Sequence, residues 1–283
     1  MKAAREQAVI AALRRPRYEV IPLAGVLDSV VAHVPRDVKL TVTASPRKGI
    51  DTTLDATERL VRAGYRVAPH LSARLIAGPG HLREILARLA GLGVRDVFAI
   101  AGDVEEPAGE FVGALDLLTA MASLDHDLDH IGVTGYPESH PFIEDDVTIQ
   151  AMWDKRHYAT YIVSQICFDP RVVGGWVRRV RRRGVQLPIH VGVPGPVDPA
   201  KLLRVSTGIG LGESVRFLRG HRGWLLHLVR PGGYRPDRLI DGLADDLADP
   251  ATRIAGFHFY TFNEVGKTER WRRALLDRLG ATA

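Results

Sequence analysis

Asp96-Val97-Phe98-Ala99-Ile100-Ala101-Gly102-Asp103 reads as a buried strand that opens, through a glycine, onto a carboxylate. The same pattern recurs along the chain. Glu19 follows Arg17-Tyr18 and leads into Val20-Ile21-Pro22, His70 closes Tyr65-Arg66-Val67-Ala68-Pro69, and Gln165 and Asp169 flank Ile166-Cys167-Phe168. Working outward from these runs, strands are expected at 18–21, 38–43, 65–69, 96–101, 130–134, 160–167, 187–191 and 254–259. Amphipathic segments at 52–63, 80–92, 109–123, 143–157, 171–183 and 263–279 lie between them, and Gly64, Gly93, Gly184 and Gly280 stand where helices should stop.

Strict alternation of strand and helix calls for parallel strands joined by crossovers. The count reaches eight and no G-x-G-x-x-G follows the first strand, so a closed (β/α)8 TIM barrel is expected rather than an open nucleotide-binding sheet. Residues 1–283 form one barrel domain in this reading, with extra helices in the long stretch 193–250 between strands seven and eight. The carboxyl ends of the strands then converge on one face, where barrels place their chemistry.

Composition agrees with an ordinary soluble globular protein. The chain has 46% hydrophobic and 25% charged residues, enough to bury a large core. Its single cysteine, Cys167, excludes an intramolecular disulfide framework and a Cys-rich metal site, and its apolar surroundings suggest an inert buried thiol. No apolar run approaches the length of a membrane span, and Met1-Lys2-Ala3-Ala4-Arg5-Glu6 does not resemble a signal sequence, so a cytoplasmic protein without membrane contact is expected. The net charge of +5 and the run Arg178-Arg179-Val180-Arg181-Arg182-Arg183 raise nucleic-acid binding. The run falls in the last turns of a helix, where cations complement the dipole, and no binding module accompanies it, so no nucleic-acid partner is expected. Ser206-Thr207-Gly208-Ile209-Gly210-Leu211-Gly212-Glu213-Ser214 is equally a phosphate cradle or a plain glycine-rich connection. The histidines at 126, 130, 221 and 227 form no metal-ligand pattern.

Several segments together resemble the methylenetetrahydrofolate reductases in order and spacing: Tyr18-Glu19-Val20-Ile21-Pro22, Thr41-Val42-Thr43-Ala44, Asp51-Thr52-Thr53, Ala68-Pro69-His70-Leu71-Ser72, Ala101-Gly102-Asp103, Gly135-Tyr136-Pro137-Glu138-Ser139-His140-Pro141, Ser164-Gln165-Ile166-Cys167-Phe168-Asp169 and Phe257-His258-Phe259-Tyr260-Thr261-Phe262-Asn263. The segments at 136–141 and 258–263 are the most specific. The resemblance spans essentially the whole chain. It implies a TIM barrel that reduces 5,10-methylenetetrahydrofolate to 5-methyltetrahydrofolate, a step of one-carbon metabolism that feeds methionine biosynthesis.

The substrate's methylene bridges two nitrogens and accepts hydride poorly until one carbon–nitrogen bond opens to a 5-iminium cation. A general acid must protonate the departing nitrogen. The resemblance makes Glu19 that acid. It makes Asp103 a carboxylate that stabilises the cation, although a turn or helix N-cap aspartate also suits Gly102-Asp103. It makes Gln165 and Tyr260 substrate-binding residues, the amide offering both donors and acceptors to a pterin edge. Thr43, His70, Tyr136, His140 and Lys155 match cofactor-contact positions.

Two departures concern FAD, which most of the family uses to relay hydride from NADH or NADPH. Ala101 stands where flavin-dependent relatives carry arginine, and Thr43-Ala44-Ser45 replaces their Thr-Tyr-Gly. One lost charge-assisted contact weakens binding by only about 1.5–3 kcal/mol, so Ala101 alone does not exclude FAD. The pattern resembles family members that pass hydride from NADH or NADPH directly to the folate. That is the expected reaction, with an FAD-dependent reductase and a non-catalytic pterin-binding barrel as alternatives. The choice between NADH, NADPH and another donor, and the question of a homo-oligomer, are left open by the sequence.

Overall fold

The computed structural model describes residues 2–45, 47–138, 145–197 and 236–281, with backbone alone over 145–149. Eight strands close a barrel in sequence order, and every neighbouring pair is parallel. They are β1 (Arg17–Val20), β2 (Lys39–Val42), β3 (Val67–Ser72), β4 (Asp96–Ile100), β5 (His130–Gly135), β6 (Tyr161–Ser164), β7 (Ile189–Pro194) and β8 (Ile254–Tyr260). Helix α1 (Lys2–Arg14) precedes β1. The helices following the strands are α2 (Val26–His33), α3 (Gly49–Arg62), α4 (Pro79–Gly91), α5 (Ala114–Ala122), α6 (Asp145–Lys155) and α7 (Pro170–Arg182). After β7 come the short α8 (Asp237–Gly242) and α9 (Ala244–Ala248), and α10 (Val265–Arg278) closes the chain. The glycine-rich segment 206–214 lies outside the described residues.

Local chemistry sets the helix limits. Pro79 and Pro170 open α4 and α7, where a missing N–H costs nothing. Asp169 caps α7 by accepting from the Arg171 amide at 2.8 Å, so this strand-end acid has a structural task. Helix α5 begins at Ala114 rather than near Gly109, with Asp116 accepting from the amides of Val112 and Gly113. Gly64, Gly93, Gly184 and Gly280 all take positive φ just past helix ends. Strand β6 ends at Ser164, which places Cys167 in the connection after it, buried. Helix α2, absent from the sequence-based expectation, buries only Val26 and Val30, a face too narrow to show as periodicity.

Strand parity divides the apolar residues in two. Tyr18, Val20, Leu40, Val42, Val97, Ala99 and Val133 join the helices in one large core around the barrel. The opposite parity forms the small separate cluster Phe98, Tyr161 and Val163. Barrel interiors are usually filled with Val, Ile and Leu. Here the interior is polar: Arg17 lies 4.0 Å over the Tyr161 ring, Tyr161 donates to Asp96 at 2.8 Å, and Lys39 and Arg17 both pair with Asp96. These groups sit at or near strand starts, at the amino-terminal end. Burial lowers the Lys39 ammonium pKa, with Asp96 opposing, and burial beside Arg17 holds His190 well below the usual histidine range.

Two arginines near the end of α7 turn back onto the protein. Arg178 pairs with Asp246 at 2.7 Å, and Arg181 donates to the carbonyls of Thr252 and Val185. Among the described residues, no helix is long and apolar enough to cross a membrane.

Candidate active site

Glu19 stands in β1 between β2 and β8, opposite Thr41 and Tyr260. Its carboxylate is the centre of the site. Oε2 lies 3.2 Å from Nε2 of His258 and 3.6 Å from Nε2 of His70. The Thr261 hydroxyl donates to the Glu19 carbonyl at 2.5 Å. Two residues on, Asn263 accepts from the Ile21 amide and donates to the Ile21 carbonyl, both at 2.9 Å. Phe262 and Asn263 hold left-handed φ values of 49° and 60°, uncommon for such residues, and the turn they make aims the Asn263 amide at β1. The specific segment 258–263 therefore builds the surroundings of Glu19, side chain and backbone together.

From Glu19 the site extends around the carboxyl-end face. The Tyr260 hydroxyl donates to the Ser164 carbonyl at 3.1 Å and approaches Gln165 Oε1 at 3.5 Å. Burial pushes the Tyr260 phenol up, with the charge of Glu19 and then Tyr136 adding to the shift. Tyr136, just beyond β5, is pushed up to about 12 by burial and by Asp103. Both phenols thus stay protonated, and Glu19, Tyr260, Tyr136 and Asp103 form a continuous series of electrostatic neighbours.

Asp103 is exposed beyond β4, and α5 starts far downstream, so it caps no helix. Gly102 takes φ +94°, and a Cβ there would meet Ser72 Oγ at 1.9 Å. Only glycine lets the chain turn out of β4 beneath β3 and deliver Asp103 to the face.

Thr43 follows β2, its amide donating to the Val20 carbonyl at 3.0 Å and its hydroxyl buried without a partner among the described residues. His70 lies inside β3, buried against Phe98 with ring centroids 4.8 Å apart. Burial lowers its pKa to about 4, so it is a neutral ring touching Glu19 from within the barrel. Lys155 ends α6, its ammonium pKa lowered by burial and Asp154 its charge neighbour. Its described contacts do not join it to the Glu19 cluster. His140 lies outside the described residues. Sequence reasoning missed His258 as a site residue. Its signal is parity: Gly256, His258 and Tyr260 alternate on one face of β8, so the Tyr260 assignment carries His258 inward with it.

The β4 exit bears on the fit of a flavin dinucleotide. Ala101 is exposed and offers no charge. Arg74, just past β3, spends its guanidinium on the carbonyls of Val104, Val112 and Glu105. The loop carbonyls thus take up the nearby guanidinium, and Ala101 supplies none in its place. Among the described residues, no group of three or more His, Cys, Asp or Glu is placed to hold a metal ion. Burial and then Glu138 push the Cys167 thiol up, which removes it as a nucleophile.

Residues 20–208 match the family model for methylenetetrahydrofolate reductase. Over 123 residues the chain is 30% identical to methylenetetrahydrofolate reductase 2 of Saccharomyces cerevisiae, a stretch covering 40% of this chain and 20% of the yeast protein. Among solved structures, it is similar to a lyase/mutase candidate from Burkholderia cenocepacia J2315, with TM-score 0.48 and 15% identity over 98% of this chain and 89% of that one. It is also similar to tryptophan synthase from M. tuberculosis, with TM-score 0.45 and 16% identity over 95% and 99% of the two chains.

Proposed function

Because the chain belongs to the methylenetetrahydrofolate reductase family, we propose that it reduces 5,10-methylenetetrahydrofolate to 5-methyltetrahydrofolate, taking hydride directly from NADH or NADPH. The observation that carries this reading is the Glu19 carboxyl at the carboxyl-end face, in electrostatic series with Tyr260, Tyr136 and Asp103. Glu19 donates a proton to the departing nitrogen and opens the ring to the 5-iminium cation. Asp103 faces the developing positive charge across the site and lowers its energy without taking a proton. Gln165 and Tyr260, already in contact, hold the pterin edge. The nicotinamide delivers hydride to the methylene carbon, and the balance is one hydride and one proton gained by the folate.

The β4 exit favours direct transfer. Ala101 lacks the arginine that flavin-dependent relatives carry there, and Arg74 beside it is bound to loop carbonyls. NADH or NADPH then occupies that side of the mouth with its nicotinamide carbon about 3–3.5 Å from the methylene.

Both substrates must be bound together, so initial rates at several fixed folate concentrations give intersecting lines, and deuterium from labelled NADH appears in the methyl product. Parallel lines, or stoichiometric FAD whose removal abolishes activity and whose return restores it, would overturn direct transfer in favour of the flavoprotein. Absence of folate-dependent NADH or NADPH oxidation under all conditions would leave a pterin-binding barrel.

A further inference from the structure

We propose that His258 is a positioning residue for this reaction, its Nε2–H holding one oxygen of Glu19 so that the other carries the transferable proton. The inference rests on Glu19 as the acid and goes beyond it by saying how the acid is aimed.

A carboxylate has two oxygens, and an acid that delivers its proton from the wrong one is no acid for its substrate. Both imidazoles approach the same oxygen, Oε2: His258 at 3.2 Å and His70 at 3.6 Å. Oε1 is left as the oxygen to carry the proton. If the Glu19 oxygen facing His258 is the acceptor of this pair, the nitrogen turned toward it carries the hydrogen and Nδ1 lies on the far side of the ring. That Nδ1 is buried with no partner among the described residues.

The ring itself is fixed. His258 is 1% exposed, and its ring meets that of Tyr260 edge-on at 4.9 Å. The β1–β8 register and the Thr261 hydroxyl hold the two backbones together. His70 approaches the same oxygen from β3 at 3.6 Å without a hydrogen bond, and burial lowers its pKa to about 4, so His258 makes the hydrogen bond and His70 closes the other side as a neutral ring. Among the described residues, the titratable groups that face Glu19 are His258 and Tyr260 from β8 and His70 from β3.

The test compares His258→Leu with His258→Gln, which keeps an N–H donor, each checked for a native melting transition. The leucine variant loses turnover by about 10²-fold with KM for both substrates unchanged, because only the aim of the acid is lost. The glutamine variant recovers most of the rate. Equal losses in both variants, or a loss expressed in KM alone, would show a packing role and overturn the proposal.

A second readout needs no turnover, and so separates this proposal from the folate reading. Nitrogen-15 NMR of labelled histidine in the wild type shows His258 as the Nε2–H tautomer, with its signal shifted in Glu19→Ala. A His258 signal indifferent to Glu19→Ala overturns the clamp whatever the enzyme's substrate. A shifted signal in a protein with no folate activity keeps the clamp and removes the reaction assigned to it.

Discussion

Asp96→Asn tests whether the polar barrel interior is a true charge network. Asp96 is 4% exposed and accepts from Tyr161, Arg17 and Lys39. The amide keeps the shape and removes the only carboxylate named in this cluster, leaving two cations in an interior that solvates them poorly. Breaking a buried pair in this way costs about 3–5 kcal/mol, because the partner charge remains. Unfolding entropy near 60 °C is about 2.1 cal/mol/K per residue, so the loss corresponds to a fall in Tm of roughly 5–8 °C. Lys39 offers partial relief. Burial already lowers its pKa, and with Asp96 gone it sheds its proton more readily, so the deficit narrows as pH rises from 7 toward 9.5. The assay is scanning calorimetry of both proteins across that range. A Tm within about 2 °C of wild type at pH 7 would mean that water reaches these groups and that the network is not buried in solution.

Three further outcomes follow from the site. Glu19→Gln folds with an unchanged melting transition but loses about 10²–10⁴-fold in turnover, since the amide has no proton to give; wild-type rates in a purified sample would remove Glu19 from the mechanism. Gly192→Ala places a Cβ 2.2 Å from the Ser164 carbonyl and 2.7 Å from the Tyr260 ring, so it should cost about 1–3 kcal/mol in chemical denaturation and raise KM for folate together. Stability lost with KM intact would separate that strand contact from the pterin pocket. His70 titrates at about 4 in the folded protein and near its ordinary value unfolded, so the unfolded state binds an extra proton between about pH 6.5 and 4 and stability falls as pH falls through that window. His70→Phe should flatten Tm against pH there, and an unchanged slope would show that the ring is not buried neutral.

The barrel was legible because parallel strands buried on their outer face write their limits in Val, Ile and Ala, and because glycine marks helix ends. Asp103 and Gln165 were legible as the first polar residues past β4 and β6. The interior was not. Arg17, Lys39 and Asp96 look like ordinary charged strand starts, and nothing local says that they meet, since strand neighbours lie far apart in sequence. His70 shows the same limit. Its place in the chain suggested a strand end, whereas β3 continues to Ser72 and places the ring beside Glu19. Helix α2 escaped because its buried face is two valines wide.

The Ile21 amide, held by the Asn263 side chain, gives the barrel a built-in reporter. Most amides beside a barrel strand are protected by another strand and exchange with solvent only when the sheet opens. This one is protected by a single side chain on a turn, two residues from Glu19, and an excursion of residues 261–264 is enough to release it. Its exchange rate therefore follows the breathing of the mouth rather than the unfolding of the molecule. A ligand that closes the site slows it, while amides deep in β5 and β6 keep their rates.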